Sequence, residues 1–488
     1  MNLFTQVRHE NALALTRRFF LQKSTACLGG MALNVLLGNT GVAAEIANGT
    51  PVGLPAPPRP AKAKRVIYIH LAGAPSQLET YDFKPDLATL DNQPCPDSFL
   101  KGKRFAFIKG VPKMLGSQAA FARHGQSGAY FSEHLPELAE QADDICFIKS
   151  LWTEQFNHAP AQLLLQTGSQ LKGRPCFGSW ALYGLGTENA DLPGFLVLTS
   201  GGRNPDAGKT VWNSGFLPGV FQGVQCHGHG EPILFAANPE GVTRGQRRAV
   251  LDTLGTLNRR TAEEFGDPET LTRLSQYELA FRMQMSVPEA TDLSRESAAT
   301  HEMYGTEQGK NSFANNCLLA RRLSERGVRF VQLYDWGWDA HGDSEGNSLT
   351  GGQARKMRAF DKAAAALVRD LKQRGLFEDT LLVCGAEFGR TPMKENRSGS
   401  DNPFAGRDHN PGGFTMWMAG AGVKAGHTHG ATDEFGYQAV IDRVHVHDLN
   451  ATLLHLLGFD HEKLTYFFQG RNYRLTDVQG HVVRAVLA

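Results

Sequence analysis

The sequence predicts an α/β protein with a predominantly parallel central sheet and helices on both faces. Continuous apolar runs such as RVIYIHLAG (65–73) are typical of parallel strands that are buried on both sides. In the last third of the chain such runs alternate with amphipathic helical segments, as parallel strands with crossover helices require. Hydrophobic residues make up 41% and charged residues 20% of the 488 residues, which is the balance of a soluble globular protein with a substantial core.

The first 44 residues are interpreted as an export signal and not as part of the fold. They contain the twin arginines Arg17 and Arg18, an apolar stretch, and small residues at 42–44 where a signal peptidase would cleave. An uncleaved membrane anchor is the alternative, but Asn34 and Asn39 interrupt the apolar stretch, which is short for a span. We therefore expect a periplasmic or extracellular protein that has no transmembrane span once the signal is removed.

The remaining chain is interpreted as one domain that follows a linker. Residues 45–64 form a Pro-rich linker, and residues 65–488 form a single α/β domain. Further strands are expected at DICFIKSLW (144–152) and GFLVLTSGG (194–202), and a helical insertion is expected over about 240–326, where apolar residues recur every three to four positions. The formal net charge of +1 gives no electrostatic reason to expect a nucleic-acid partner.

The last third supplies the elements that would position a site. Strands are predicted at the start of VRFVQLYDWGWDAHG (328–342), at TLLVCGAEFGR (380–390) and at FTMWMAGAG (414–422). Helices are predicted at RKMRAFDKAAAALVRDLKQRG (355–375) and HDLNATLLHLLG (447–458). In sheets of this kind, ligands bind beyond the carboxyl ends of the strands, so the polar residues in the loops that follow the strands are the candidates for chemistry.

Three of these loops each place Asp and His together. They read DAH, DH and HVHD, and each alone is weak, because an Asp in such a place more often caps a turn or a helix. Together, imidazole and carboxylate without thiolate suit a catalytic divalent ion such as Zn²⁺ or Mn²⁺. The expected ligands are Asp339, His341, Asp408, His409 and His447.

Four further residues complete the predicted site. Glu387 and His158 are additional candidates for the metal, and Arg390 would hold the anionic group of a substrate. A water or hydroxide activated by the metal is the expected nucleophile, with Ser76 as the alternative.

These motifs resemble the exported bacterial proteins of the domain-of-unknown-function 1501 family, which is classed as sulfatase-like. The resemblance covers nearly the whole mature chain, through HLAGAPSQLETYDFKP, YELAFRMQMSVPEATDLSRES, RGVRFVQLYDWGWDAHG, CGAEFGRTPM, GRDHNPGGFTMWMAGAGVKAG and HVHDLNATLLHLLGFDHEKLTYFFQGRNYRLTDV. It implies the α/β fold of the alkaline-phosphatase superfamily, whose characterised members hydrolyse or transfer phosphate and sulfate esters with bound metal.

The site differs from that of the sulfatases it resembles. In HAPAQLLLQTG, which is similar to the sulfatase nucleophile segment, His158 takes the nucleophile position, so no Cys or Ser can become formylglycine. Ala72 and Gly73 replace the Asp-Asp pair at the end of the first strand, and Glu387 stands where sulfatases have Asp-His or Asp-Asn.

Two interpretations follow from this resemblance. The first is an exported hydrolase of a small anionic ester or of a sulfated or phosphorylated glycan, dependent on Zn, Mn, Ca or Mg. The second is a non-catalytic protein of the same fold that binds a glycan or a protein partner.

Overall fold

The computed structural model describes residues 57–103, 105–227, 232–233, 238, 241–265, 268–397 and 399–488. The predicted signal and most of the predicted linker lie outside these residues. The described residues divide into two compact units, one drawn from 218–220 and 238–284 and the other from 57–217, 221–233 and 285–488. The second unit contains the sheet and all residues discussed as a site.

The described strands are numbered in chain order. They are β1 (Arg65–Ala72), β2 (Phe121–His124), β3 (Ala129–Ser132), β4 (Ile145–Trp152), β5 (Phe195–Ser200), β6 (Val224–Cys226), β7 (Phe330–Trp336), β8 (Thr380–Gly385), β9 (Gly389–Arg390), β10 (His409–Asn410), β11 (Phe414–Gly420), β12 (Thr428–His429), β13 (Ala431–Thr432), β14 (Ala439–Ile441), β15 (Val444–His445), β16 (Tyr466–Phe468) and β17 (Arg471–Tyr473).

Nine of the described strands form the central sheet. Eight follow the order β12-β4-β11-β8-β1-β7-β5-β6, and β15 also pairs with β4. β1 runs parallel to both β7 and β8, and β5 runs parallel to β7 and β6. β11 is antiparallel to both β4 and β8, so it is reversed within a sheet whose other strands share one direction. The predicted α/β class with a predominantly parallel sheet is confirmed.

The described helices are α1 (Pro85–Thr89), α2 (Asp97–Leu100), α3 (Pro136–Ala139), α4 (His158–Thr167), α5 (Phe177–Leu185), α6 (Arg244–Phe265), α7 (Pro268–Thr291), α8 (Ala298–Tyr304), α9 (Phe313–Glu325), α10 (Ala354–Gln373) and α11 (Val446–Leu456). The helices α6 to α9 occupy the region where a helical insertion is predicted. In the smaller unit, Arg248 of α6 pairs with Glu278 of α7, with Nη1 at 2.8 Å from the carboxylate.

Helices cover both faces of the sheet. The ring of Phe177 in α5 lies 5.4 Å from that of Phe330 in β7, whereas Lys356 in α10 lies 2.8 Å from the carboxylate of Asp335 in the same strand. Successive strand residues point to opposite faces, so α5 and α10 lie on opposite sides of β7. On α10 the buried residues Met357, Phe360, Ala364, Leu367 and Leu371 recur at the spacing of one helix face.

The cysteines and the hydrophobicity of the helices can be assessed over the whole described part of the chain. The six described cysteines are buried and free, as small apolar core residues are. Among the described residues, no helix combines the length and the hydrophobicity that crossing a bilayer would require.

Candidate metal centre

Asp339 lies at the centre of the polar residues that follow the strands. Its Oδ1 atom is 2.8 Å from Nε2 of His341, 3.2 Å from Nε2 of His158 and 3.3 Å from Nε2 of His409. The three imidazoles are buried, while the Asp339 side chain remains 26% exposed. Water or a ligand can therefore reach the centre past the Asp339 carboxylate.

Three separate segments bring these four side chains together. Asp339 and His341 lie in the loop after β7, and His158 is the first residue of α4. His409 lies in β10, which pairs with β9 so that His409 is opposite Arg390. Because β1, β7 and β8 run parallel, the segments that follow them meet at one edge of the sheet, as expected for a site in this fold class.

Each of the three histidines uses its Nδ1 atom for a hydrogen bond to an acceptor. Nδ1 of His158 donates to Oε1 of Glu387 at 2.7 Å, and Nδ1 of His409 donates to the carbonyl of Phe156 at 2.7 Å. Nδ1 of His341 donates to Glu395. A neutral imidazole that donates through Nδ1 keeps a lone pair on Nε2, so each of the three Nε2 atoms can direct a lone pair toward Asp339 once its ring is neutral. Metal-binding histidines are oriented in this way in many proteins.

The distances from Asp339 to His158 and to His409 fit a tetrahedral ion such as Zn²⁺. Ligand atoms about 2.0–2.2 Å from a tetrahedral ion lie about 3.3–3.5 Å from one another. The separations from Asp339 to His158 and His409 are close to this value, and that to His341 is about half an ångström shorter. Nε2 of His158 is buried, and its 3.2 Å contact with Oδ1 of Asp339 is poorly directed for a hydrogen bond, so a metal ion could compete for this atom. Ligand atoms of His158, Asp339 and His409 all lie within 4.8 Å of one another.

The electrostatics of the centre differ between His158, where the nearby carboxylates favour positive charge, and His409, where burial favours the neutral ring. Burial lowers the pKa of His158, but hydrogen bonds and charges from Asp339 and Glu387 outweigh it and raise that pKa to about 9. Burial would raise the pKa of Asp339, yet Arg390 and the three histidines hold it far below its usual range. Burial lowers the pKa of His409 to about 3, so this imidazole stays neutral and keeps its lone pair.

Glu387 supports His158 and lies outside the group around Asp339. Its fully buried carboxylate accepts hydrogen bonds from Nδ1 of His158, from the Gly73 backbone N–H at 3.1 Å, from Gln162 Nε2 at 3.0 Å and from His70 Nε2 at 2.9 Å. Burial raises its pKa, but the two histidines lower it well below its usual value. The sequence predicted Glu387 as a metal ligand, and the structure gives its oxygens these four donors instead.

Arg390 is not available to a substrate. The side chain is 1% exposed, and Nε donates to the Ala74 carbonyl at 2.8 Å while Nη1 donates to the Arg407 carbonyl at 3.1 Å. Nη2 donates to the Gly73 carbonyl and to Asp339. The prediction that Arg390 holds the anionic group therefore has to be corrected. This guanidinium orients Asp339 and joins three loops.

Three more predicted residues have other partners. The carboxylate of Asp408 accepts three backbone N–H groups, from Phe107 at 2.7 Å, Ile108 at 3.1 Å and His409 at 2.7 Å. Oγ of the fully buried Ser76 accepts from the backbone N–H of Leu78, and His447 packs in the first turn of α11 with its ring 5.0 Å from that of His445. None of the described contacts of Asp408, Ser76 or His447 joins them to Asp339.

Sequence reasoning missed three residues that support the histidines, namely His70, Gln162 and Glu395. Gln162 stands four residues after His158 on the same helix, and this spacing places both side chains on one face. His70 reads as part of an apolar strand, and Glu395 lies in an irregular segment, so neither has a comparable local signal.

Comparisons with known proteins give one family match and distant structural similarities. The family model described as "Protein of unknown function (DUF1501)" matches residues 63–487. No curated protein matches the sequence significantly. Similar solved structures include the PsFucS1 sulfatase from Pseudoalteromonas sp., with 12% identity over 82% of this chain and 68% of that chain and a TM-score of 0.35. The phosphonate monoester hydrolase SpPMH from Silicibacter pomeroyi matches with 12% identity over 87% and 76% of the two chains and a TM-score of 0.33. A protein in the alkaline phosphatase superfamily from Vibrio parahaemolyticus matches with 11% identity over 89% and 78% and a TM-score of 0.34.

Proposed function

We propose that this chain, which belongs to the DUF1501 family, is a divalent-metal-dependent hydrolase of anionic esters. The observation that supports this proposal is the meeting of three imidazole Nε2 atoms beside one carboxylate, with every Nδ1 atom already bonded. The ligands would be His158, Asp339, His341 and His409. Three nitrogens and one oxygen favour Zn²⁺ or Mn²⁺ over Ca²⁺ and Mg²⁺, which prefer oxygen ligands.

The ion would supply Lewis-acid chemistry, lowering the pKa of a water molecule and polarising the ester oxygen. The residues of the chain hold this geometry. Glu387, Glu395 and the Phe156 carbonyl fix the three rings, and Arg390 fixes the carboxylate of Asp339. Water as the nucleophile is favoured over Ser76, whose hydroxyl is buried and caps a turn.

With Arg390 engaged, Arg203 and Arg397 are the proposed contacts for the anionic group. The Arg203 guanidinium lies 3.9 Å from the ring centre of Trp336, which packs 6.4 Å from the ring of His158. The Arg397 guanidinium lies 4.3 Å from the ring centre of Phe107, and Nη2 approaches His341 at 3.4 Å. Both side chains hold positive charge against an aromatic face next to a proposed ligand.

The rival function is a protein that binds without catalysis. It is motivated by Arg390, which already neutralises Asp339 without an ion. We also propose that the chain is exported, on the basis of the twin arginines Arg17 and Arg18 and the apolar stretch that follows them. Mass spectrometry of protein from a periplasmic fraction would show whether the chain begins after residue 44.

Metal analysis tests the proposed function directly. The purified chain is dialysed against Zn²⁺ or Mn²⁺, freed of excess ion, and assayed for bound metal and for hydrolysis of p-nitrophenyl phosphate and p-nitrophenyl sulfate. We expect about one ion per chain, lost in His158→Gln and His409→Gln and retained in the control His447→Gln. If the chain retains no ion and hydrolyses neither ester, the proposed hydrolase function is wrong and the binding function is favoured.

A further inference from the structure

We infer that the cleft beside His409 binds the ring of a sulfated or phosphorylated sugar, an inference that rests on the proposed function because His409 is one of the proposed ligands. The cleft has a volume of about 610 Å³, and His409 lies in its wall. Pockets of about 300–1,000 Å³ hold drug-sized ligands, so this space far exceeds the need of one sulfate or phosphate ion. The molecule it accommodates carries a substantial organic part.

Aromatic rings form much of the wall of this cleft. Phe156, Trp152 and Tyr437 all line it, and the Phe156 side chain is 47% exposed. The carbonyl of Phe156 holds Nδ1 of His409, so this exposed ring stands directly beside the metal centre. Exposed aromatic rings in a cleft give flat apolar surfaces on which the face of a ligand ring can pack.

Two cations lie against these rings. The Arg443 guanidinium is 4.6 Å from the ring centre of Trp152, and Lys103 Nζ is 4.6 Å from that of Tyr437. Among the described residues neither cation forms an ion pair, and the described lining of the cleft contains no Asp or Glu. Asp433 and Glu434 act on Lys103, so the attraction of the cleft for negative charge depends mainly on Arg443.

Polar groups in the wall suit the hydroxyls of a sugar. Both the amide of Gln438 and the hydroxyl of Thr153 line the cleft. The Gln438 amide has no hydrogen-bond partner among the described residues, so it is free to donate and accept. A nucleotide also has a flat ring, but it carries its charge at one end. The cations here lie on two different segments, at Trp152 and at Tyr437, which matches a ring with anionic groups on its periphery.

Calorimetry on the full-length, metal-loaded protein tests this inference. The probes are a heparin hexasaccharide, an unsulfated heparosan hexasaccharide, inorganic sulfate and AMP. We expect the sulfated hexasaccharide to bind at least about tenfold more tightly than the other three probes. Phe156→Ala and Arg443→Met should each weaken its binding about tenfold and leave the bound metal unchanged.

The control variants remove a cation beside an aromatic ring, and an exposed phenyl ring, at positions that do not line the cleft. Arg471 lies 3.9 Å from the ring centre of Tyr473, and Phe467 is 67% exposed. Arg471→Met and Phe467→Ala should bind the sulfated hexasaccharide like the unaltered chain. Equal affinity for the unsulfated sugar, tighter binding of AMP, or no effect of Phe156→Ala and Arg443→Met overturns the inference. Loss of metal with retained sugar binding instead overturns the proposed hydrolase and leaves the cleft assignment standing.

Discussion

The buried carboxylate of Glu387 accepts a hydrogen bond from Nδ1 of His158 at 2.7 Å, on the side of the ring away from Asp339. This bond fixes both the orientation of the ring and the tautomer that leaves Nε2 free. Glu387 therefore determines how well His158 can bind a metal ion, although Glu387 is not itself a proposed ligand.

Glu387→Gln should lower the affinity for Zn²⁺ by about 10- to 100-fold, the usual effect of removing such a supporting group. The amide can turn its NH₂ group toward Nδ1 of His158, which would then accept the hydrogen bond. The ring proton would move to Nε2, the proposed ligand atom. Competition with a chromophoric chelator measures the dissociation constant. Glu434→Gln makes the same substitution at an exposed carboxylate and should leave the Zn²⁺ affinity unchanged. An unchanged Zn²⁺ affinity in Glu387→Gln would refute the role of this bond.

Substitution of Arg390 should lower stability, whereas substitution of Arg203 or Arg397 should weaken the binding of anions. Arg390→Met leaves the carbonyls of Gly73, Ala74 and Arg407 without their donor and should cost about 1–3 kcal/mol of unfolding free energy. Arg203→Met and Arg397→Met should keep the midpoint of thermal unfolding within a few degrees and weaken inhibition by inorganic phosphate about tenfold. Denaturant titration and inhibition assays distinguish them. Equal phosphate inhibition in all variants would exclude Arg203 and Arg397 as anion contacts.

The buried pair of Arg407 and Glu79 predicts a large loss of stability. Nη2 of Arg407 donates to Oε1 of Glu79 at 2.7 Å, and both side chains are almost fully buried. Arg407→Met should cost about 3–5 kcal/mol because it leaves a buried carboxylate uncompensated. Arg355→Met, at an exposed pair with Glu345, should cost less than about 1 kcal/mol.

Urea unfolding of both variants provides the comparison. The double variant with Glu79→Met and Arg407→Met should recover part of the loss, since both charges are then absent. Equal stability of the Arg407 and Arg355 variants would contradict the prediction.

Asp361 predicts a pH dependence of stability. Burial raises its pKa to about 6, although the backbone N–H groups of Glu137 and Leu138 lower it in part. A carboxyl group whose pKa is higher in the folded than in the unfolded chain stabilises most below the unfolded value. That contribution is lost as the pH rises through about 6. The loss for Asp361 between pH 4 and pH 7 should amount to about 2–3 kcal/mol.

Asp361→Asn carries no charge and should lack this dependence. Urea unfolding of the variant and the unaltered chain at pH 4, 5, 6 and 7 measures the difference. We expect it to shift in favour of Asn by about 2–3 kcal/mol as the pH rises. A difference that stays constant across this range would show that Asp361 titrates normally.

The class of the fold and part of the site follow from local patterns in the chain. Apolar runs predicted the strands, and residue type at strand ends predicted His158, Asp339, His341 and His409, which the structure brings together. The sequence predicted both Asp408 and His409 as ligands, because it does not show which of the two side chains faces the site. Adjacent residues of an extended strand point in opposite directions, so only one of them can do so. The Asp408 carboxylate accordingly accepts backbone N–H groups.

The supporting partners depend on contacts that no local pattern reports. His447 is the clearest case of a misleading pattern. A Cβ atom on Gly168, just after the C-terminal end of α4, would lie 3.4 Å from the His447 ring. His158 starts that ten-residue helix, so about 15 Å of helix separates the two histidines.

The hydrogen bond from His409 to Phe156 joins residues 253 positions apart, and it sets an order of events for the folding chain. Closing so large a separation costs chain entropy that local contacts do not offset, so we expect the sheet strands to pair before these two residues meet. No fragment that ends before residue 409 can contain the complete centre. Capture of an ion would thus come late, and its retention would mark the chains that have finished folding.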